Sequence, residues 1–312
     1  MQTSSFHDSI ALRFDYAAQQ FAVVPLRDLT WTLDDAATLY GAILVERFRT
    51  YGSKLLDLSD YCSRLAFGAG QLAITLPIEV ANLTNNASRL LELNASLLQG
   101  HRDVSVVMLV SPGVPSLEYP MGTRPTCMMH LSELPFGRLN DWYKNGTPLV
   151  LASHNTVPTT CWPSQMKTRS RLPYLLADTA VSAAQTNSLA LLTTARGTIA
   201  DTSVANVLMI DKSDRIVSPP KEDVLVGCTL LAIEKLLKKE NVTITYRNID
   251  PAELLDAAEV ILTGSSGGVW SAGSIDGHSI GQEANRPRYF RLRELWKEYA
   301  GIDFVAQAAQ TT

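Results

Sequence analysis

The sequence GSSGG at residues 264–268 places two serines among three glycines, directly after a short apolar run at 260–263. It matches the G-x-S-x-G pattern of hydrolases with a serine nucleophile, which here would be Ser266. Such hydrolases draw their acid and base from separate loops, whereas Asp276 and His278 follow closely. Small residues also let backbone N–H groups approach an anion, and both hydroxyl groups can donate. The segment predicts an anion-binding turn, with a serine hydrolase as the alternative.

A second candidate anion site is Gly227-Cys228-Thr229, at the start of a predicted helix over 229–239. The first N–H groups of a helix have no partner within it and lie at the positive end of its dipole, which suits a phosphate. Ordinary capping by glycine is the alternative. Two such sites in one half of the chain favour a phosphorylated ligand.

Other residues indicate no chemistry when they are taken one at a time. The segment GAGQLA at 68–73 resembles a dinucleotide fingerprint but follows a helical stretch, so we interpret it as a helix ending at glycine. The four cysteines are far apart, which indicates neither a metal site nor a disulfide framework. Lys167 has the setting of a solvated lysine ahead of a helix, and Asp201 that of a turn aspartate.

The elements that must position these residues mix helices with strands. The second half predicts a helix over 171–185 and then short strands over 189–193, 198–200, 204–210 and 215–218, which indicate an antiparallel meander. After the helix at 229–239 it predicts a strand at 242–247, a helix at 251–258, a strand at 260–263 and a helix at 287–299. The first half predicts a hairpin over 42–49 and 54–58, helices over 60–69 and 78–98, and a strand over 103–110. This mixture is typical of α/β or α+β proteins.

The length of 312 residues suits two domains, and a polar, proline-containing stretch at 145–163 predicts their connection. We therefore expect domains at 1–145 and 146–312. With 27 Lys and Arg against 31 Asp and Glu, and no basic stripe, we expect no nucleic-acid partner. The absence of a leader pattern and of a long apolar run predicts a cytoplasmic protein that does not cross a membrane.

Five segments, in order, resemble the fold type IV family of pyridoxal-phosphate enzymes, which includes branched-chain and D-amino-acid aminotransferases and aminodeoxychorismate lyase. The first, DDAATLYGAILVERFRTYGSKLLDLSDYCSRL, is similar to the family block D-x-G, YG-x-x-x-FE-x-x-R and H-x-x-RL. The others are KTRSRLPYLLA, GTIADTSVANVLMI, SPPKEDVLVGCTLLAIEKL and AAEVILTGSSGGVWSAGSIDG, followed by IG. The resemblance spans about residues 33–281 and carries its specificity in the order and spacing of the segments.

The resemblance implies a smaller α/β amino-terminal domain, a larger barrel-like carboxy-terminal domain with flanking helices, and pyridoxal 5'-phosphate in the cleft between them. Lys167 would form the Schiff base with the cofactor and move the proton at the substrate. The other cofactor residues implied are Arg64, Cys228, Thr229 and Ser265 for the phosphate, Asp201 for the pyridine nitrogen and Leu225 against the ring. On the substrate side the candidates are Tyr40, Ser266 and Arg171, with Arg47 and Arg49 as further candidates for a carboxylate.

The chain departs from the family pattern at several positions. Asp201 stands where the family has glutamate, Tyr61 replaces a histidine, Leu230 an arginine, and Ser170 a tyrosine or asparagine. The expected activity is an aminotransferase, of branched-chain type or similar, acting on an amino acid and a 2-keto acid as a homodimer. A lyase that releases pyruvate from aminodeoxychorismate is the alternative within the family. The alternatives from other functional classes are a serine hydrolase that uses Ser266 and a non-catalytic scaffold with the same fold.

Overall fold

The computed structural model describes residues 6–98, 103–118, 122, 124–281 and 286–311. The chain separates into two compact units, Met1–Leu134 with Met166–Ser170, and Pro135–Gln165 with Arg171–Thr312. This division ends the first unit at Leu134 and adds Met166–Ser170 to it, whereas the sequence predicts a single boundary after residue 145. That boundary between functional domains stays a prediction. Both units mix helices and strands, so the predicted fold class is confirmed.

The first unit is built around an antiparallel sheet of six strands. Its elements are β1 (Ile10–Asp15), β2 (Gln20–Pro25), α1 (Ala36–Tyr40), β3 (Leu44–Tyr51), β4 (Lys54–Leu55), α2 (Leu58–Gln71), α3 (Ile78–Ala81), α4 (Leu83–Leu93), β5 (Ser105–Ser111) and β6 (Thr126–Ser132). The strand order is β2-β1-β6-β5-β3-β4. The predicted hairpin and the strand at 103–110 are confirmed as β3, β4 and β5.

One face of β3 is covered by α2. Side chains alternate along a strand, so Leu44, Glu46 and Phe48 share a face, and the Phe48 ring lies 5.2 Å from that of Tyr61 on α2. A Cβ at Gly68 would lie 2.9 Å from Leu44 Cδ2, so this glycine allows close packing of helix and strand. The segment GAGQLA thus lies at the end of a helix that continues to Gln71, and no phosphate-binding turn forms there.

The predicted helix at 78–98 is interrupted. Asn82 leaves the helical conformation between α3 and α4, and its side chain accepts a hydrogen bond from the Asn85 N–H at 3.2 Å. An asparagine that caps a helix in this way begins a new helix where periodicity alone predicts a continuous one.

The second unit contains nine strands and six helices among the residues that the structure describes. They are α5 (Phe136–Asn145), β7 (Thr147–Asn155), α6 (Leu172–Ala184), β8 (Leu189–Thr193), β9 (Ile199–Thr202), β10 (Asn206–Ile210), β11 (Ile216–Ser218), α7 (Cys228–Lys239), β12 (Ile244–Tyr246), α8 (Pro251–Leu255), β13 (Glu259–Gly264), β14 (Gly268–Ile275), β15 (His278–Ser279), α9 (Pro287–Ala300) and α10 (Phe304–Thr311). Each helix and strand predicted for this half is confirmed, with ends shifted by a few residues.

Six of these strands form a closed ring in the order β10-β13-β14-β7-β8-β9, and β9 pairs again with β10. Strands β11 and β12 extend the sheet beyond β10, and β15 pairs with β14. The strands β8 to β11 are antiparallel to their neighbours in sequence, as the predicted meander requires. The ring confirms the barrel-like second domain.

The stretch expected to connect the domains, 145–163, contains strand β7 at Thr147–Asn155. This strand lies in the ring, parallel to both β14 and β8. Its proline, Pro148, is the second residue of the strand, a position near a strand end where the missing N–H is tolerated. Among the residues described, no helix has the length and apolar character needed to cross a bilayer.

Candidate functional site

Asp201 is a buried residue of the barrel and not the turn residue that its local sequence suggests. It lies in β9 directly opposite Asn206 of β10, which in turn lies opposite Thr263 of β13. Burial raises the pKa of the Asp201 carboxyl to about 7, although the nearby Arg171 charge and a hydrogen bond from Tyr174 lower it. The carboxyl group is therefore poised between its charged and neutral forms near neutral pH.

The residues around Asp201 come from the start of α6. The Tyr174 hydroxyl donates to Asp201 Oδ1 at 3.3 Å. The Arg171 guanidinium lies over the Tyr174 ring, 4.3 Å from its centre, and donates to the carbonyl oxygen of Ser203. Helix α6 itself packs on the barrel, where its residues Ala177 and Val181 cluster with Ala190 and Leu192 of β8. This arrangement places Arg171, a candidate for a substrate carboxylate, beside Asp201.

Helix α7 begins next to the same strand. Gly227 is the residue before its first turn and has no side chain that could cap this end. The Gly227 N–H donates to Asn206 Oδ1 at 2.8 Å, and Asn206 Nδ2 donates to the Leu225 carbonyl oxygen at 2.8 Å. A Cβ at Gly227 would lie 2.6 Å from Asn206 Oδ1, so any side chain here would displace the Asn206 amide. Cys228 and Thr229, for which the sequence predicts an anion site, are buried in this first turn.

Two amide side chains that the sequence reasoning missed hold the loop before α7. Asn206 holds it as described, and Gln165 Nε2 donates to the carbonyl oxygens of Lys221 at 2.7 Å and Val224 at 2.9 Å. Gln165 Oε1 also accepts from the Val226 N–H at 3.3 Å. The sequence does show Gln165 two residues before Lys167. Its role could not be predicted from this position, because its partners are more than 50 residues away in sequence.

Ser265 and Ser266 lie in the turn between β13 and β14. A Cβ at Gly264 would lie 2.5 Å from the Val204 carbonyl oxygen, which places this turn against the loop that follows Asp201. The residues after the turn form a strand and not the helix of a nucleophile elbow. Asp276 Oδ1 accepts from the Leu151 N–H at 2.9 Å, and His278 is exposed on β15. The geometry therefore contradicts the serine hydrolase alternative.

Lys167 belongs to the first unit, where its backbone pairs with β3. Thr168 forms an antiparallel bridge with Leu44, and the Val45 N–H donates to the Lys167 carbonyl oxygen at 3.0 Å. Lys167 thus lies opposite Val45, on the face of β3 that α2 does not cover. The next segment is fixed to α1, because Ser170 Oγ donates to the Gly41 carbonyl oxygen at 2.9 Å. Tyr40 precedes this glycine and is exposed.

Arg64 lies on α2 and forms a buried, bidentate ion pair with Glu46. Its Nε donates to Oε1 at 2.9 Å and Nη2 donates to Oε2 at 2.6 Å. A pair of this kind fixes the plane of the guanidinium group. The Tyr61 ring, where the family has histidine, lies 5.5 Å from the guanidinium carbon.

The geometry gives two groups of residues, each within one unit. The second unit brings together Asp201, Arg171, the loop at Leu225 and the starts of α7 and of the β13–β14 turn, and the first unit holds Lys167, Tyr40 and Arg64. A family model described as amino-transferase class IV matches residues 43–275, which include all of these except Tyr40. The chain belongs to this family.

Among curated class IV relatives, the branched-chain-amino-acid aminotransferase-like protein 2 of Arabidopsis thaliana is 24% identical over 88% of this chain and 48% of its own length. The chain thus spans about half of that relative. A probable branched-chain-amino-acid aminotransferase of Aquifex aeolicus is 35% identical over 34% of the chain and 35% of its own length. The D-alanine aminotransferase of Bacillus licheniformis is 21% identical over 82% of the chain and 86% of its own length.

Solved class IV structures share the fold. A branched-chain amino acid aminotransferase complexed with 4-methylvaleric acid superposes with a TM-score of 0.80 at 21% identity, covering 94% of each chain. Structures of the same protein with pyridoxamine 5'-phosphate and with N-(5'-phosphopyridoxyl)-L-glutamate superpose with a TM-score of 0.78. The predicted fold type IV architecture is therefore confirmed.

The residues of the second unit fit pyridoxal phosphate, the cofactor of the class IV family. Its phosphate suits the start of α7, which follows a glycine and carries the Thr229 hydroxyl group. Its pyridine nitrogen suits Asp201, because a protonated ring nitrogen would supply the positive partner that a buried carboxylate needs. Both features lie within the reach of one residue, Asn206, which pairs with Asp201 and bonds to Gly227.

Proposed function

We propose that this chain is an aminotransferase that uses pyridoxal 5'-phosphate to move an amino group between an amino acid and a 2-keto acid. The observation that carries the proposal is the family match, because one continuous stretch contains the lysine, the buried acid, the helix start and the serine turn. The curated relatives support the same reaction by their names. The substrates we propose are branched-chain amino acids or similar ones.

Lys167 would hold the cofactor covalently and move a proton at the substrate Cα. Bound pyridoxal phosphate supplies an electron-withdrawing ring that makes this proton acidic. The lysine amine is suited to both tasks, because it is a nucleophile when neutral and a proton donor when charged. Pairing with β3 at Val45 fixes the backbone from which this side chain extends.

The remaining cofactor residues would orient the ring. Asp201 would hold a proton at the ring nitrogen, and Leu225 would contact the ring. The phosphate would be held by the α7 start at Cys228 and Thr229, by Ser265 and by Arg64. Arg64 is suited to an anion because its pair with Glu46 already fixes its plane.

The test is whether Lys167 carries the cofactor. Purified protein mixed with pyridoxal phosphate should show a visible band that borohydride removes, with the reduced adduct mapped to Lys167 by peptide mass spectrometry. The variant Lys167→Ala should lack both, whereas Lys144→Ala, a change at an exposed helical lysine, should retain both. An unmodified Lys167 in the wild type would refute the proposed function.

Turnover then separates the alternatives within this fold. Conversion of an amino acid that depends on a 2-keto acid acceptor is expected for the aminotransferase. Release of pyruvate from aminodeoxychorismate without an acceptor would instead identify the lyase. A labelled Lys167 with neither reaction would identify a non-catalytic scaffold, an outcome for which the departures at Asp201 and Ser170 give the reason.

We also propose that the chain works as a cytoplasmic homodimer. Support for the dimer comes from α6, where Leu172, Leu175 and Leu176 expose 63%, 62% and 47% of their surface. Apolar side chains grouped on one helix mark interaction surfaces. Support for the cytoplasm comes from four cysteines that are free thiols.

A further inference from the structure

Arg47 and His130 form a group of basic side chains on the Lys167 face of the first sheet. The register places Arg47 of β3 opposite Val107 of β5, and Val107 opposite His130 of β6. Residues directly opposite one another point to the same side of a sheet. Arg47 is two positions along β3 from Val45, which lies opposite Lys167. The Arg47 Cα is therefore about 7 Å from the Val45 Cα on the same face as Lys167.

The charge of Arg47 is poorly compensated. Its Nη2 donates to Ser132 Oγ at 2.6 Å, which is its one hydrogen-bond partner among the residues that the structure describes. Its Nε is buried and has no hydrogen-bond partner within the described part of the chain. Burial alone lowers the pKa of this guanidinium. A buried N–H donor without an acceptor costs about 1–3 kcal/mol, more when charged, and a ligand that accepts from it recovers this energy.

The positive charges of Arg47 and Arg169 both act on His130. Burial lowers the pKa of His130, and the charges of Arg169 and Arg47 lower it further. The His130 Nδ1 lies 2.8 Å from the Leu131 carbonyl oxygen, so this nitrogen carries the proton of the neutral ring. Two carboxylates of neighbouring residues are engaged elsewhere, because Glu46 faces α2 and pairs with Arg64, and Asp103 pairs with Arg49 at 3.5 Å. Among the residues that the structure describes, Arg47 itself forms no ion pair with a carboxylate.

We propose that Arg47, with His130 and Ser132, binds a carboxylate group of the substrate and determines substrate specificity. The proposal rests on the proposed function, since it takes Lys167 as the point at which the substrate reacts. A carboxylate suits the site because it accepts two parallel hydrogen bonds from one guanidinium. The group bound is either the α-carboxylate, which every amino acid has, or the side-chain carboxylate of an acidic amino acid.

Binding of unreactive carboxylates tests the site without catalysis. Isothermal titration calorimetry should detect 4-methylvalerate and glutarate binding to the holoprotein, and Arg47→Gln should weaken one or both roughly 10- to 100-fold. Arg47→Lys should restore part of the affinity because it keeps the charge. Arg27→Gln, a change at an exposed arginine of the same unit, should leave affinity unchanged. Equal affinities in wild type and Arg47→Gln would overturn the proposal.

Steady-state kinetics then distinguish the two carboxylates. If Arg47 binds the side-chain carboxylate, Arg47→Gln lowers kcat/KM for glutamate and leaves that for leucine unchanged. If it binds the α-carboxylate, kcat/KM falls for both amino acids by similar factors. An unchanged kcat/KM for both overturns the proposal, provided that borohydride still labels Lys167. Loss of that label would instead be a failure of the proposed function. His130→Gln gives a second variant should Arg47→Gln fold poorly.

Discussion

At the residue scale, Asp201 couples the stability of the chain to pH. Its carboxyl is buried in β9, with the Tyr174 hydroxyl as its hydrogen-bond donor among the described residues. Burial raises its pKa from 3.8 to about 7. The folded chain without cofactor therefore keeps a proton between pH 4 and pH 7 that the unfolded chain releases.

The sign of this effect gives a prediction for Asp201→Asn. Because the folded state binds more protons than the unfolded state over this range, the free energy of unfolding of the wild type should fall as pH rises from 4 to 7. A shift of about three pKa units corresponds to at most about 4 kcal/mol. Urea unfolding of the cofactor-free protein across this range should show the decline. In Asp201→Asn the contribution of residue 201 to this decline should be absent.

The comparison between the two proteins isolates one group from all others that titrate. Asn keeps the shape of Asp and cannot ionise, so the difference between the two stability curves belongs to residue 201. Parallel curves from pH 4 to pH 7 would mean that the carboxyl is ionised in the folded state. Cofactor should also bind more weakly to Asp201→Asn, because the amide supplies no negative charge to the ring nitrogen.

The role of Asp201 shows which parts of the site could be predicted from sequence. Its neighbours Ala200 and Thr202 carry no sign that the position is buried, so local pattern assigned it to a turn. Burial depends on the pairing of β9 with β8 and β10 and on the approach of Tyr174 from α6. The order of five segments along the chain, by contrast, resembles one enzyme family and predicts cofactor-binding roles for Lys167 and Asp201 without any knowledge of packing.

At the element scale, the start of α7 depends on the absence of a side chain at Gly227. In Gly227→Ala the new Cβ would lie 2.6 Å from Asn206 Oδ1, which displaces the amide that holds Leu225 and Gly227. We expect a loss of about 1–3 kcal/mol in the free energy of unfolding. We also expect weaker pyridoxal phosphate binding, because the N–H groups of the first turn would move. Denaturant unfolding and a cofactor titration measure the two effects.

Gly70→Ala is the matched control for this change. A Cβ at Gly70, in helix α2, meets no atom within 4 Å. Alanine favours a helix over glycine, so stability should stay constant or rise by about 0.5–1 kcal/mol. Cofactor affinity should not change. An unaltered cofactor affinity in Gly227→Ala would mean that the α7 start does not hold the phosphate.

The elements themselves were predictable where their stabilising contacts are local. Strands β8 to β11 and β13 are short apolar runs separated by turn residues, and each predicted strand is present. Strand β7 was missed because its partners, β14 and β8, are parallel and distant in sequence. Its polar and proline-containing residues resemble a linker until the ring is known. Strand β6 was missed as well, because its partners, β1 and β5, are distant in sequence. Strands β1 and β2 were missed although they pair as a local hairpin, with Asp15 opposite Gln20.

At the scale of the whole molecule, we predict a homodimer that depends on α6. Light scattering coupled to size-exclusion chromatography should give twice the mass of one chain. Leu175→Glu places a charge on the exposed apolar face and should shift the population towards monomer. Ile78→Glu changes a residue that is 87% exposed on α3 and should leave the mass unchanged. A monomeric wild type, or a dimer that tolerates Leu175→Glu, would contradict the role given to α6.

The ring of six strands has its narrowest join between β9 and β10, where the register contains the single pair Asp201 and Asn206. One of these residues would meet the cofactor ring, and the other holds the start of α7. The pairing that closes the ring between β9 and β10 therefore also brings together these two parts of the proposed cofactor site. A chain that has not completed its barrel has no place for pyridoxal phosphate, so cofactor present during refolding would bind only closed barrels and select them from the folding population.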